Sequence, residues 1–292
     1  MEGDKEIRGV KELLIISGKG GTGKTTLVAS FSRLAEKAVF ADCDVDAPDL
    51  PILLKPQERD RGAFYGGQKP YVERELCNSC GRCTRYCRFD AIEDGEVDYI
   101  ECEGCGLCEL VCPEGAIRME DHVSGYWFVS DTPFGPLIHA RLNPGEENSG
   151  KLVAEVKRRA REIAEGGGYG LVIVDGPPGV GCPVISALSG VTLALVVSEP
   201  SISAIHDLQR ALDLCETFGV KAAVVINRFD VSPQRTREIE ALCDSRGVEV
   251  MGRIPFDRGV IEALNVEKTP LEYPSKVRSD IVKLWDTVKR AL

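Results

Sequence analysis

Short apolar runs bounded by polar turns recur along most of the chain. Leu13-Leu14-Ile15-Ile16, Ala38-Val39-Phe40-Ala41, Leu171-Val172-Ile173-Val174, Thr192 to Val197, Ala222 to Ile226 and Val248 to Ile254 are continuous rather than alternating, and most are rich in β-branched residues. Such runs predict strands buried on both faces. Between them lie segments with helical spacing: Thr25 to about Glu36, a stretch from Asn148-Ser149-Gly150-Lys151 to about Glu165 with Ser149 placed as its cap, Ala204 to Phe218, and Gln234 to Arg246. Alternation of this kind predicts an α/β fold with a doubly wound, mostly parallel sheet. Ile281, Leu284, Trp285 and Val288 share one face of a last helix. That face suits a closing core helix better than a membrane-surface one, since no further tail follows it.

The pattern stops at about Gln57 and resumes at about Ser124. Residues 57–123 therefore read as an inserted domain within a discontinuous one formed by residues 1–56 and 124–292. Tyr126-Trp127-Phe128-Val129 and Leu137-Ile138-His139-Ala140 predict strands around the turn Asp131 to Gly135, returning the chain to the sheet.

Composition narrows the setting. With 43% hydrophobic residues the chain can bury a large core. There is no run of about 18 apolar residues and the N-terminus is charged, so neither a spanning segment nor a secretory signal is expected. The expectation is a cytoplasmic protein with no stable membrane insertion. The net charge of −10 and the lack of a clustered basic surface argue against nucleic acid as a partner. Twelve cysteines in such a chain point to metal rather than disulfides.

The chemistry begins after the first strand, at Gly18-Lys19-Gly20-Gly21-Thr22-Gly23-Lys24-Thr25-Thr26. Gly18 to Gly23 satisfies G-x-G-x-x-G, and Asp42 sits near the offset of a ribose-binding acid. The continuation Gly23-Lys24-Thr25 decides against a dinucleotide, because a pyrophosphate held by backbone N–H groups needs neither an ammonium nor a Mg²⁺-binding hydroxyl. Lys24 is assigned to the phosphates of ATP or ADP and Thr25 to Mg²⁺. Asp42, Asp44 and Asp46 follow the second strand, and Asp175 ends a third with Gly176-Pro177-Pro178-Gly179 beyond it. Acids at the carboxyl ends of strands sit beside the ligand in a doubly wound sheet. Asp175 can hold the Mg²⁺ shell, and the glycines leave room for a γ-phosphate.

Eight cysteines lie in the inserted segment. Cys77, Cys80, Cys83 and Cys87 are followed, each exactly 25 positions later in the chain, by Cys102, Cys105, Cys108 and Cys112, with Pro113 after the last; Gly81, Ala91 and Ile92 recur as Gly106, Ala116 and Ile117. A zinc knuckle gives no reason for C-x₂-C-x₂-C triplets. Three thiolates so spaced can take three corners of a cubane. The segment resembles a bacterial two-cluster ferredoxin, in which the fourth cysteine serves the other cluster. That resemblance implies one 4Fe-4S cluster on Cys77, Cys80, Cys83 and Cys112, and a second on Cys102, Cys105, Cys108 and Cys87. Arg88 stands where the ferredoxin pattern has proline. Arg82, Arg85 and Arg88 accompany the first repeat and Glu101, Glu103, Glu109 and Glu114 the second, so the two clusters are expected to differ in potential.

Lys19 goes beyond the general phosphate-loop pattern. With it, the chain resembles the deviant P-loop ATPases of the MinD, ParA and Mrp group, and the Asn148 to Val153 run resembles MinD-like proteins with an inserted ferredoxin. The resemblance implies Mg-dependent ATP hydrolysis in an ATP-bound homodimer, with Lys19 reaching the partner's phosphates. It implies Asp44 as the acid orienting the attacking water, Asp175 and Gly179 in the second switch, and Asn227, Arg228 and Pro255 near the base, Asn227 as its reader. Cys43 is expected to be a packing residue. Cys182 is expected to be buried, with a transient ligand role as the alternative.

These features imply an ATPase that couples its conformational cycle to assembly or carriage of a metal centre, with electrons from the ferredoxin module and a protein client or redox partner. An ATP-gated electron donor is the alternative, and a positioning ATPase of the MinD or ParA type the third reading.

Overall fold

The computed structural model describes residues 9–147 and 150–292. The Ser149 cap therefore lies outside the described residues. The strands are β1 (Lys11–Ser17), β2 (Val39–Asp42), β3 (Gln57–Val72), β4 (Ile92–Glu93), β5 (Glu96–Val97), β6 (Ile117–Thr132), β7 (Gly135–Leu142), β8 (Leu171–Pro178), β9 (Leu193–Ser198), β10 (Ala222–Asn227) and β11 (Glu249–Ile254). The helices are α1 (Lys24–Ser32), α2 (Leu50–Leu54), α3 (Arg82–Tyr86), α4 (Leu107–Val111), α5 (Lys151–Gly167), α6 (Cys182–Leu188), α7 (Ile202–Thr217), α8 (Pro233–Ser245), α9 (Arg258–Asn265) and α10 (Arg278–Ala291).

Two compact units result. The first comprises residues up to Asp60, Phe128–Ala140 and Gly150–Leu292; the second comprises Arg61–Trp127 and Arg141–Ser149. The insertion expected between residues 57 and 123 differs from these limits because β3 and β6 are long strands that begin in one unit and end in the other. An apolar-run search cannot see them: β3 reads Gln-Glu-Arg-Asp-Arg-Gly and is largely exposed over that half.

In the first unit the sheet order is β11-β10-β9-β1-β8-β2-β7-β6. β1 is central and pairs in parallel with β8 and β9, with Leu13 opposite Ile173 and Leu193. The remaining pairs out to β11 and β7 are also parallel. Leu13, Leu14, Ile15 and Ile16 are all fully buried, which requires cover on both faces because successive side chains point to opposite sides. On one of those faces Leu13 and Ile15 join Phe31 of α1, Leu50 and Leu54 of α2, and Trp285 of α10 in a single core. Phe31 and Trp285 meet with ring centroids 4.9 Å apart. Ile281, Leu284, Trp285 and Val288 are buried, so α10 closes the core. Helix α1 ends at Ser32, a turn short of the Glu36 expected from periodicity.

The second unit is built on the 25-residue duplication. α3 and α4 are five-residue helices at equivalent positions, each preceded by a left-handed glycine, Gly81 (φ 68°) and Gly106 (φ 75°). The backbone repeats more than the sequence does: Ser79 and Gly104, and Asp90 and Gly115, are equivalent pairs that also have positive φ. At Ser79 and Asp90 the turn geometry is kept without the residue that tolerates it best. Ala91 and Ile92, with their counterparts Ala116 and Ile117, are the buried apolar residues beneath the two loops.

Candidate functional site

The loop from Gly18 to Gly23 joins the end of β1 to α1, as the sequence requires of a phosphate cradle. Gly21 and Gly23 have φ of 77° and 99°, and a Cβ on Gly21 would meet nothing, so its backbone faces open space. Gly18 serves differently: a Cβ there would lie 2.2 Å from that of Asp207 on α7. A cavity of about 560 Å³ opens beside this loop. Gly20, Gly21, Gly23, Lys24, Thr25, Thr26, Asp44, Asn227, Arg228 and Pro255 line it, which brings together ten of the positions singled out from sequence. Gly18, Lys19, Thr22, Asp175 and Gly179 are not on its wall. Gly179 instead donates its N–H to the Ser17 carbonyl at 3.0 Å, holding the segment after β8 to the end of β1.

Three carboxylates gather where β2 and β8 end. Asp42 and Asp175 are register partners on adjacent strands, and both are fully buried. Asp42 accepts the N–H groups of Asp44 (3.1 Å) and Leu50 (3.2 Å), so it shapes the loop that carries Asp44 and starts α2. Burial, and then the Asp175 charge, push its pKa well up. Asp46 is exposed. Asp175 is pushed up to about 7, chiefly by burial; Lys24 and the Thr25 hydroxyl pull it back and Asp44 adds to the rise. Neither of its oxygens has a hydrogen bond of ordinary geometry. Asp44 is also raised, by burial first, with Lys24 opposing. A buried carboxylate with both oxygens unpartnered, next to a threonine hydroxyl, offers oxygen donors of the kind a hard cation takes, and the nearby Lys24 ammonium suits an anion.

Lys19 and Lys24 have different surroundings. Lys24 is buried at the first turn of α1 on the cavity wall. Lys19 forms an ion pair with Glu199 at 2.6 Å and donates to Ser201 Oγ at 3.3 Å. The same Glu199 receives Arg228 at 2.8 Å, while Arg228 also donates to the Gly21 carbonyl at 3.2 Å. Glu199 escaped the sequence reading because it is 180 residues from Lys19 and belongs to no motif. Asn227 is equally committed. Its amide donates to the Thr22 carbonyl at 2.8 Å and its Oδ1 accepts the Arg228 N–H at 3.0 Å, so its polar groups brace the loop.

Cys43 is fully buried, as expected of a packing residue. Cys182 is exposed at the start of α6, contrary to the buried position expected of it. Pro183 follows it, so α6 begins there and the thiol stays on the rim rather than in the core.

In the second unit two separate cavities are found. One is lined by Cys77, Cys80, Cys83 and Cys112, the other by Cys87, Cys102, Cys105 and Cys108. Backbone N–H groups of Gly104 and Ala116 point at Cys102 Sγ (3.4 Å) and Cys112 Sγ (3.3 Å). Burial, with a smaller contribution from neighbouring Cys102 and Cys105, raises the Cys108 thiol to about 11. Among the described residues no group of three or more His, Cys, Asp or Glu could hold a single metal ion.

A parallel sheet, a glycine-rich loop from its central strand into a helix, and acids at the adjoining strand ends define a P-loop nucleotide-binding protein. The chain belongs to the CobQ/CobB/MinD/ParA nucleotide binding domain family, which it matches over residues 13–271. It is similar to the uncharacterized protein MJ0578 of Methanocaldococcus jannaschii, with 34% identity over 285 residues, 96% of this chain and 97% of that one. The septum site-determining protein MinD of Bacillus subtilis is 24% identical over 281 residues, covering 92% and 84%. Among solved structures, MinD of Pyrococcus horikoshii complexed with Mg-ADP shares the fold, with a TM-score of 0.60, 19% identity and 96% of each chain covered. No helix among the described residues is long and apolar enough to cross a membrane.

Proposed function

We propose that this P-loop protein is a Mg-dependent ATPase that carries two 4Fe-4S clusters and serves the assembly of a metal centre in a client protein, its second unit passing the electrons. The observation that carries the iron–sulfur part is the sorting of eight cysteines into two cavities of four, each taking three from one repeat and one from the other. All-sulfur donor sets with N–H groups aimed at Sγ fit a cubane, and such hydrogen bonds tune its potential.

Toward Mg-ATP, the backbone of Gly20 to Gly23 and the Lys24 ammonium would bind phosphates, and Thr25 and Asp175 would hold the cation. Bound Mg²⁺ supplies charge neutralisation between phosphate oxygens. Asp44, whose backbone N–H donates to the Asp42 carboxylate, would orient a water. Ile254, Phe256, Val260 and Ile261 give the cavity an apolar wall against which a base would pack. Lys19 acts in the partner's site once a homodimer forms, and must first leave Glu199.

Complete ligand sets also suit a nucleotide-gated electron donor, whereas the exposed Cys182 next to the second switch favours handling of a metal centre. A positioning role is named for several relatives, but the buried apolar face of α10 leaves no membrane-surface stripe there. Anaerobic redox titration with and without Mg-ATP tests the proposal. About eight irons per chain and potentials that move on ATP binding are expected. Iron-free protein would end it, and unmoved potentials would leave the two units merely tethered.

A further inference from the structure

The 25-residue duplication also shows where the two halves of the second unit differ. Arg82, Arg85 and Arg88 occupy the positions that Leu107, Leu110 and Pro113 hold one repeat later. All three arginines are exposed, as is Tyr86 between them, at 53%. Two other arginines of this unit have carboxylate partners: Arg74 meets Glu96 at 3.2 Å, and Arg118 meets Glu120 at 2.6 Å. Among the described residues Arg82, Arg85 and Arg88 have none, although Glu101, Glu103, Glu109 and Glu114 are in the same unit. Arg88 stacks over Phe89, 4.8 Å from the ring centroid. A chain of net charge −10 thus exposes three arginines without a carboxylate partner, and an aromatic, between residues 82 and 88, with Asp94 and Glu114 lining the same cavity as Arg82.

That face lies on a redox candidate. Arg82 lines the same cavity as Cys77, Cys80, Cys83 and Cys112. Unpaired guanidinium groups around a tyrosine have the composition of a binding patch, and complementary charge raises encounter rates more than it raises affinity. Nucleic acid is a poor fit, because phosphate binding needs an extended cluster of Lys and Arg and the chain carries a net charge of −10. A second copy offering its acidic repeat is the competing occupant, and self-association in solution tests it.

We propose that Arg82, Arg85, Tyr86 and Arg88 form the docking surface for an acidic one-electron carrier protein serving the cluster of the first cavity. The inference rests on the iron–sulfur reading above. One electron leaves the carrier's reduced centre and one oxidised cluster gains it; no bond forms or breaks.

The test uses the full chain with its clusters, mixed anaerobically with fully reduced flavodoxin, an acidic protein whose flavin hydroquinone is oxidised to the neutral semiquinone by loss of one electron. In the wild type the second-order rate should fall steeply as salt shortens the Debye length. The double variant Arg85→Glu, Arg88→Glu, which spares the Arg82 of the cluster cavity, should react about tenfold or more slowly at low salt and lose most of that dependence. Reduction by the methyl viologen radical cation should be as fast or faster, and iron content unchanged. Should the double variant lose iron, Arg85→Glu alone, which lines neither cavity and is not next to a cysteine, should still slow flavodoxin several-fold. Unchanged flavodoxin rates in iron-replete variants overturn the proposal, and so does a loss of self-association in sedimentation with unchanged rates. Wild-type protein without iron overturns the underlying reading, and metal analysis shows this before any kinetics.

Discussion

Asp175 at the end of β8 and Cys108 in α4 are both groups that burial pushes toward their neutral form, yet the two regions hold them in different ways. Asp175 stands on a strand flanked by β1 and β2, locked by ladder pairs and by a core that includes Leu13, Ile173 and Trp285. Cys108 stands on a five-residue helix with no buried residue of its own, over a floor of small buried side chains such as Ala91 and Ile92. The first site is preorganised by packing. The second has little apolar area to fix it, and small units of that kind depend on metal or cross-links for stability. The expected consequence is that ligand loss is local for the nucleotide site and global for the cluster unit.

The largest effect should come from breaking the ligand sets. Cys87→Ser should cost about half the iron, specifically the cluster shared with Cys102, Cys105 and Cys108, and should lower hydrogen-exchange protection across residues 73–117. ATP affinity should change by less than about twofold. Selective loss of the other cluster's spectral signature would refute the crossed sets.

Lys24→Ala should do the reverse. Removing the buried cation from the phosphate cradle should weaken ATP binding about 100-fold, on the order of 2–3 kcal/mol, with iron content unchanged; calorimetry and metal analysis on one sample decide it. Equal damage to both properties would mean that the two regions do not fold independently.

Asp175→Asn should separate stability from function inside the first unit. In the folded protein this carboxyl titrates near 7, above its ordinary 3.8, so the ligand-free native state binds a proton that the unfolded chain has released. Stability then falls as pH rises from about 4 to 7, and the penalty is complete above that. Without Mg²⁺ or nucleotide, the variant should be about 1–3 kcal/mol more stable than wild type at pH 8 and nearly equal at pH 4, by urea unfolding. It should lose Mg-dependent hydrolysis. A variant less stable at pH 8 would show that the carboxylate is satisfied in a way the structure does not reveal.

Glu199→Gln should have the smallest effect on stability, under about 1 kcal/mol, because its ion pairs are partly solvated. Its effect should appear in assembly: with Lys19 released, ATP-dependent dimerisation should need less protein. Lys19→Ala should retain nucleotide and lose hydrolysis. Weaker dimerisation of Glu199→Gln in light scattering would mean that Glu199 supports the dimer rather than restraining Lys19.

How far the sequence could be read also divides the molecule. In the first unit, buried parallel strands announce themselves as apolar runs, and the cradle needs glycines, a lysine and a threonine in one order, so ten residues of the cavity wall were legible while Lys19, Asp175 and three others singled out with them lie off it. β3 was not, since an exposed strand held by its neighbour has no apolar run. α2, α6 and α9 were missed because each is eight residues or fewer and leaves too little periodicity.

What the sequence by itself determined is local chemistry: a loop that can cradle phosphate, acids at strand ends, and two copies of a cysteine spacing. A resemblance to ferredoxins suggested how the copies share their fourth ligands. The fold alone decided which distant groups became neighbours: Glu199 beside Lys19, Asn227 under the Thr22 carbonyl, and Cys112 in the cavity of the first triplet. Residue spacing fixes the face and turn that a side chain occupies, because those follow from short-range sterics. Contacts across a hundred residues or more follow from strand order and from how two small repeats pack, and no local pattern encodes them.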